Sequence, residues 1–223
     1  MPDYCFYIVG CGGTGSLLAR DLPQLLIQYR NHNMCLIDGD VVERKNLVRQ
    51  RFQEFDVGWN KAIALARKIN SFYPIDCDVM DLYVTDNELL EKIERSSKIP
   101  VIIGCVDNDA TRRILEDTFR KINTGVYIDS ANSAYSGNVF ACAKSKGKYH
   151  GKTRRQARQL GKSDRNPAEL SCVERAANGE LQYFVTNAKM AICLLEHCFS
   201  LVQAGDPFMT GVTKIDRFEE IHY

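Results

Sequence analysis

A short apolar run that leads directly into closely spaced glycines, at the start of the chain, constrains the fold more than any other feature. The run is Tyr4–Val9, and it continues into Gly10–Gly15 with the sequence G-C-G-G-T-G. A β-prone run, a glycine turn and then a helical pattern are typical of a strand, a phosphate-binding turn and a helix N-terminus. Glycines let the backbone approach a phosphate closely, and the helix offers free N–H groups to it. The sequence therefore predicts a nucleotide site whose turn contains Gly10, Gly12, Gly13 and Gly15.

A second apolar run, Met34–Ile37, ends in Asp38. In Rossmann-type sheets the second strand brings a carboxylate to a ribose hydroxyl, and Asp38 stands at about the expected separation from the glycines. We therefore expect Asp38 to bind a ribose. The glycines and Asp38 alone fit a dinucleotide as well as ATP, so an NAD(P)-dependent oxidoreductase stays open at this point.

Strand-like and helical patterns alternate along the rest of the chain. The apolar run Val101–Val106 is continuous, which is typical of a strand covered on both faces. Pro23 is expected to kink or divide the first helix, at about Ser16–Tyr29. The other predicted elements are helices at about Trp59–Phe72, Asp86–Ser96 and Leu181–Ala204, a helix that begins at Asp107–Asp109, strands at Ile75–Val84, Gly125–Asp129 and Asn138–Ala143, and a short strand pair around Met209–Phe218. This alternation predicts an α/β, Rossmann-like, mostly parallel and doubly wound sheet with helices on both faces.

Composition places the chain among ordinary soluble globular proteins, with 45% hydrophobic and 26% charged residues. We see no apolar run that approaches a membrane span and no signal peptide, and we therefore expect a cytoplasmic protein without membrane contact. The formal net charge of +1 does not favour nucleic acid as a partner. The nine cysteines contain no C-x-x-C pair, which predicts reduced thiols rather than disulfides or a four-cysteine zinc site.

Basic residues are concentrated in Lys144–Ser171, where apolar residues are few. This composition predicts a mobile loop rather than a strand or a core helix. A nucleic-acid patch is the alternative, and the lack of interleaved aromatic residues makes it the weaker one. We accordingly expect one domain over residues 1–223, with a nucleotide-binding core at 1–143, a basic crossover loop at 144–171 and a C-terminal helix with short strands at 172–223.

The polar stretch Ile37–Gln50 closely resembles the I-D-x-D-x-V-x-x-x-N-L-x-R-Q signature of the ubiquitin-activating superfamily, which includes the ThiF/MoeB/HesA adenylyltransferases. Two further elements follow in the family's order. Asp56–Lys61 is similar to its D-x-G-x-x-K element, and the residues from Val106 to Arg112 or Arg113 are similar to its D-N-x-x-x-R element. The resemblance is clear from Tyr4 to about Ala143 and fainter from Ser171 to Ala204, which identifies the chain as an E1-like adenylation domain.

This resemblance implies an enzyme that uses ATP and Mg²⁺ to adenylate the C-terminal glycine of a ubiquitin-like or sulfur-carrier protein. Because that step needs no strong base, catalysis would rest on positioning and on neutralising phosphate charge. Besides the glycines, the match implies as ATP ligands Asp38, Asp40, Asn46, Arg49, Gln50 and Lys61.

Within this set, Arg49 and Lys61 would act in catalysis by neutralising the phosphates. Asp107 would hold Mg²⁺, a cation that prefers carboxylate and phosphate oxygens, and Asp40 would assist it. Two simpler interpretations stay open: Asn46 as a turn former, and Asp107 with Asn108 as a helix N-cap.

The resemblance also implies a cysteine nucleophile after the crossover segment, and Cys172 stands where it is expected. An ordinary half-buried thiol is the alternative. Expected partners are the carrier protein and either a second copy or a partner chain, since the family tends to form dimers. The arginine of the family's N-terminal extension has no counterpart, so a nucleotide-binding partner subunit without turnover also stays open.

Overall fold

The computed structural model describes residues 2–29, 31–161, 183–204, 210–216 and 220–222. Within these ranges nine strands form one sheet. The strands are Tyr4–Val9 (β1), Asn33–Ile37 (β2), Cys77–Met80 (β3), Ile99–Gly104 (β4), Gly125–Asn132 (β5), Gly137–Ser145 (β6), Lys148–His150 (β7), Gly211–Ile215 (β8) and Glu220–His222 (β9). The helices are Gly13–Leu26 (α1), Lys61–Phe72 (α2), Asp86–Glu94 (α3), Asp109–Lys121 (α4) and Phe184–Ala204 (α5).

The strand order is β3-β2-β1-β4-β5-β6-β8-β9, with β7 paired to β6. Neighbours from β3 to β5 are parallel, and the pairs from β5 to β9 are antiparallel. One apolar core lies under α1, α2 and α5, and a second lies under α3 and α4 on the opposite face. The predicted Rossmann-like, doubly wound, mostly parallel sheet is therefore confirmed.

The sheet has a topological switch point between β1 and β4. Val9 at the end of β1 is in register with Ile37 of β2 and with Gly104 of β4. The connection from β1 to β2 runs on the α1 face, and the connection from β3 to β4 runs on the α3 face. A crevice at the carboxyl ends of the strands is where ligands bind in such sheets.

Two predicted element boundaries need correction. Helix α1 is continuous from Gly13 to Leu26, so Pro23 does not divide it. A proline removes only one helical hydrogen bond, and the packed apolar side of α1 compensates for it. The outer strand β3 is shorter than predicted because only Cys77–Met80 pair with β2.

The prediction of a mobile basic loop is wrong for its first half. Strand β6 continues to Ser145, and β7 pairs with it. Arg154 is 3% exposed and donates to the carboxylate of Asp129 on β5. A basic residue on a polar stretch is normally solvated, but here a buried carboxylate from a distant strand supplies the counter-charge. Residues 162–171 lie outside the described ranges.

By length and composition alone α5 could cross a membrane, so the expectation that no segment reaches this length is also wrong. Slightly more than half of the apolar stretch of α5 is buried inside the fold, and α5 packs against α1. Met190 and Leu194 are fully buried. Core helices of globular domains commonly pass the same test, and the packing of α5 is of that kind.

Candidate functional site

The glycine turn is folded tightly against its own backbone and the end of β4. Gly10 has φ +91°, and a Cβ there would lie 2.7 Å from the carbonyl oxygen of Cys105. A Cβ on Gly15 would overlap with the carbonyl of Gly10. These two glycines are therefore required by the packing of the turn itself, whether or not a ligand is bound.

The two middle glycines differ from each other. A Cβ on Gly13 would overlap with the side-chain amide of Asn187 on α5. A Cβ on Gly12 would meet nothing nearer than Nε2 of Gln50, at 3.9 Å. Gly12 is the N-cap residue of α1 and no side chain caps that helix end in the described structure. The space beside Gly12 is thus open at a helix N-terminus, where N–H groups and the helix dipole favour an anion.

Asn187 joins three elements behind the turn. Its Oδ1 accepts hydrogen bonds from Nδ2 of Asn132 at the end of β5, at 2.9 Å, and from the Thr14 hydroxyl on α1, at 3.4 Å. Its Nδ2 is buried beside Gly13 and has no hydrogen-bond partner in the described structure. Gly13 is therefore explained by helix packing, which the sequence did not reveal.

Replacing Gly13 by alanine is expected to lower the free energy of unfolding by about 1–3 kcal/mol, because the added methyl group overlaps with the Asn187 amide. Urea denaturation would measure it. Adding Asn187→Ala removes the overlap, so the double variant should be less destabilised than the sum of the two single variants. Strict additivity would show that Gly13 and Asn187 are not in contact.

Asp38 links the turn to the residues that follow β2. Its Oδ2 accepts the backbone N–H of Cys11 at 2.6 Å, and its Oδ1 accepts that of Asp40 at 2.8 Å. Burial raises the pKa of Asp38 above its ordinary value, and the nearby ammonium of Lys61 offsets part of that shift. A carboxylate has about four acceptor positions, so Asp38 can still accept ribose hydroxyls.

Lys61 and Asp40 form an ion pair next to Asp38. Nζ of Lys61 lies 2.9 Å from Oδ2 of Asp40, and Lys61 is 7% exposed at the start of α2. The hydroxyl of Tyr83 donates to Oδ1 of Asp40. Burial alone would lower the pKa of Lys61, but Asp38 and Asp40 outweigh burial and raise that pKa. The site therefore contains a fully charged, buried ammonium between two carboxylates.

The three motif residues between Asn46 and Gln50 have different surroundings. Oδ1 of Asn46 accepts the backbone N–H of Glu43 at 2.8 Å inside a short 3₁₀ turn, as a turn former does. Arg49 is half-buried. Gln50 is 8% exposed, and its Oε1 has no partner in the described structure, while its Nε2 faces the space beside Gly12. Gln50 thus borders that space, and the ligand roles of all three stay predictions.

Of Asp107 and Asn108, the structure gives the N-cap role to Asn108, and the metal role of Asp107 stays a prediction. Oδ1 of Asn108 accepts the backbone N–H of Thr111 at 2.8 Å and caps α4. Asp107 is exposed in the turn after β4. Its neighbour Val106 lies against Gly10, so Asp107 stands at the same edge of the sheet as the glycine turn.

No group of three or more His, Cys, Asp or Glu side chains arranged to hold a metal occurs in the described residues. Mg²⁺ bound with a nucleotide needs only one or two carboxylates, because phosphates and water complete its shell. A single exposed carboxylate at Asp107 fits that requirement. Both oxygens of Asp40 instead accept hydrogen bonds, from Lys61 and Tyr83.

A buried charge network behind the site was missed by sequence reasoning. Asp129 is 0% exposed and accepts from Nε of Arg112, at 3.2 Å, and from Arg154. Arg112 also contacts Asp109 at 2.8 Å. Arg112, the arginine of the D-N-x-x-x-R element, therefore links the start of α4 to β5. The D-N-x-x-x-R element points to Arg112, but no sequence signal pairs residues as distant as Asp129 and Arg154.

Cys172 lies outside the described residues, so its predicted role is not tested. The eight cysteines within the described residues are free thiols, and Cys105 alone among them is half-buried while the rest are buried. Burial raises the pKa of Cys11 and of Cys105, the two that adjoin the glycine turn. Neither thiol is therefore activated as a nucleophile.

Comparisons with known proteins found relatives of this chain by sequence and by structure. The model of the ThiF family matches residues 4–213. Ubiquitin-like modifier-activating enzyme 5 of Rattus norvegicus is 27% identical over 161 residues, which are 63% of this chain and 39% of that protein. Adenylyltransferase and sulfurtransferase MOCS3 of Mus musculus is 32% identical over 114 residues, 49% of this chain and 23% of that protein. The chain thus spans about two fifths or less of these relatives.

Solved structures show the same fold at low identity. The crystal structure of PaaA has a TM-score of 0.67 and 17% identity, and the match covers 99% of this chain and 63% of that one. The structure of Escherichia coli MccB with ATP has a TM-score of 0.67 and 17% identity, covering 98% and 62%. At these identities the likeness concerns the fold alone.

Proposed function

Because the chain belongs to the ThiF family, we propose that it binds ATP and adenylates the C-terminal glycine of a small ubiquitin-like or sulfur-carrier protein. The names of two relatives, a ubiquitin-like modifier-activating enzyme and an adenylyltransferase, support this class of activity. An ATP complex of MccB, which shares the fold, is consistent with it.

The observation that carries the proposal is the open space beside Gly12. It lies at the uncapped N-terminus of α1, and Nε2 of Gln50 borders it, while Oε1 of the same side chain has no hydrogen-bond partner in the described structure. The buried ammonium of Lys61 and the carboxylate of Asp38 stand at the same edge of the sheet. Backbone N–H groups and an ammonium suit phosphates, and a carboxylate suits ribose hydroxyls.

In the proposed reaction the carrier's terminal carboxylate attacks the α-phosphate, an acyl-phosphate bond forms and the bond to pyrophosphate breaks. Asp38 orients the ribose, and the N-terminus of α1 binds the phosphate next to the attacking carboxylate. Lys61 and Arg49 reduce the repulsion between that carboxylate and the triphosphate. Such positioning and charge neutralisation supply most of the rate when no proton has to be removed.

We further propose that Asp107 holds Mg²⁺ together with the phosphates. A Mg²⁺ ion held there would supply positive charge against that of the phosphates. The contribution of the chain is an exposed carboxylate that directly precedes the capped start of α4. Asp40 already accepts hydrogen bonds from Lys61 and Tyr83, and its remaining acceptor positions could assist the metal.

Three further parts of the function are also proposals: acyl transfer to a cysteine, the oligomeric state and the location. Attack of the Cys172 thiolate on the acyl-adenylate would form a thioester and release AMP, whereas a persulfide carried on Cys172 would form an acyl disulfide and release AMP. A dimer or a partner chain, and a cytoplasmic location, are also proposed. A thioester that survives denaturation, is removed by thiols and is lost in Cys172→Ala would test the transfer step.

ATP–pyrophosphate exchange tests the proposed function directly. Purified protein is expected to incorporate labelled pyrophosphate into ATP when a cognate carrier is added. Calorimetry with Mg²⁺-ATP and with NAD⁺ completes the test, because only the former should bind. Binding of NAD⁺ in place of ATP would reject the proposal, and ATP binding without exchange with any carrier would leave a nucleotide-binding subunit.

Gly12→Ala is expected to weaken ATP binding roughly tenfold or more, since an intruding methyl group costs about 1–3 kcal/mol in a filled site. The thermal midpoint should stay unchanged because the ligand-free chain has room for the methyl group. Gly147→Ala is the matched control. Gly147 has φ +80° in the turn between β6 and β7, so this variant should lose stability and keep its ATP affinity. Equal ATP affinity in Gly12→Ala would place the phosphates elsewhere.

A further inference from the structure

Tyr83 lies beside the site but outside every motif that identified it. It follows β3, whose carboxyl end adjoins that of β2. Its ring covers the backbone between Asp38 and Asp40, because a Cβ on Gly39 would lie 2.6 Å from Cδ2 of Tyr83. Its hydroxyl donates to Oδ1 of Asp40. The packing of the Tyr83 ring on Gly39 thus brings the Tyr83 hydroxyl to the carboxylate of Asp40.

Asp40 is the residue through which Tyr83 can influence the nucleotide. Its other oxygen, Oδ2, holds Nζ of Lys61 at 2.9 Å. The Lys61 side chain is 9% exposed, whereas that of Asp40 is 46% exposed. The ammonium that would serve a phosphate is therefore held by a carboxylate that reaches solvent.

A phosphate that binds Lys61 has to compete with Asp40 for the same ammonium. The outcome depends on how well Asp40 is stabilised once Lys61 turns away, since an ionised carboxylate keeps its charge most easily when other donors face it. Tyr83 is such a donor, and solvent can supply others. Without the hydroxyl, Asp40 would depend more on Lys61 and release it less readily.

We propose that Tyr83 is a positioning residue for the ATP phosphates: its hydroxyl stabilises Asp40 and thereby frees Lys61 to bind the triphosphate. This inference rests on the proposed function. It adds a residue after β3 to a site otherwise built from the ends of β1, β2 and β4. The effect of Tyr83 passes entirely through the pair of Asp40 and Lys61.

Tyr83→Phe tests the proposal because it keeps the ring on Gly39 and removes only the hydroxyl. Calorimetry of the full chain with Mg²⁺-ATP should show binding that is about 3- to 10-fold weaker, the range expected for the net contribution of one typical hydrogen bond. In the Asp40→Asn background Lys61 is no longer held by a charge, and adding Tyr83→Phe should then change the affinity by less than about 1.5-fold. Tyr149→Phe on β7 is the matched control and should bind ATP as the unaltered chain does.

The results separate this inference from the proposed function. If the unaltered chain does not bind ATP, the proposed function is wrong and the inference fails with it. If the unaltered chain binds ATP and Tyr83→Phe binds equally well, only the inference is overturned. A loss of the same size in the Asp40→Asn background would overturn it too, because Tyr83 would then act independently of Asp40. A thermal midpoint lowered by more than about 5 °C in Tyr83→Phe would show a structural role instead.

Discussion

Replacing Asp107 by alanine is expected to lower ATP–pyrophosphate exchange by about 100-fold or more, the loss expected when a metal that contributes several kcal/mol to a transition state is no longer held. The thermal midpoint should not change. Asp107 is exposed, and the neighbouring Asn108, rather than Asp107, caps α4. The loss should therefore be confined to turnover and to the Mg²⁺-dependent part of ATP binding.

Asp76→Ala is the matched control for Asp107→Ala. Asp76 is also exposed, but it precedes β3 and lies at the opposite edge of the parallel sheet. This control should keep full exchange activity. Titrating Mg²⁺ at a fixed ATP concentration should show a higher Mg²⁺ requirement for Asp107→Ala only. Full activity of Asp107→Ala would remove Asp107 from the metal site.

Asp129→Asn is expected to lower the free energy of unfolding by about 3–5 kcal/mol, the usual cost of removing one partner from a buried ion pair. Asp129 is 0% exposed and sits between Arg112, 6% exposed, and Arg154, 3% exposed. The variant would leave two guanidinium groups without their common counter-charge. In a domain of this size the thermal midpoint should fall by about 10 °C.

Asp117→Asn provides the comparison for Asp129→Asn. Asp117 also pairs with two arginines, Arg120 and Arg155, but its side chain is 33% exposed. Water can replace those contacts, so the loss should stay below about 1 kcal/mol. Chemical denaturation of both variants would measure the difference. Equal losses would mean that the burial of Asp129 does not determine its contribution.

The glycine turn illustrates how far a motif can be interpreted without coordinates. The sequence located the turn correctly between a strand and a helix, and α1 begins within it. It treated all four glycines as room for a phosphate. In the structure Gly10 and Gly15 are needed by the turn and Gly13 by Asn187, which leaves Gly12 as the one with open space beside it. A pattern of glycines indicates that side chains are excluded. It does not indicate whether the chain itself or a ligand excludes them.

In the basic segment after β6, the sequence assigned to solvent some side chains that the fold buries. Its composition indicated solvated charges, yet Arg154 is buried on Asp129 and Arg155 contacts Glu116, which is 1% exposed. Whether an arginine is solvated or buried depends on a carboxylate that the fold brings to it. Local composition carries no information on that partner.

The sequence by itself determined the fold class and the family, and it predicted the position of a nucleotide site. These properties depend on local patterns: continuous apolar strands, a glycine turn before a helix, and closely spaced motif residues such as Asp38 and Asp40. Only the tertiary structure decided how those residues are held. Asp129 meets Arg154 across 25 positions and Tyr83 meets Asp40 across 43, and no periodicity links them. The packed sheet and helices bring these partners together and set how far water reaches them, so the energy of each contact is a property of the folded chain.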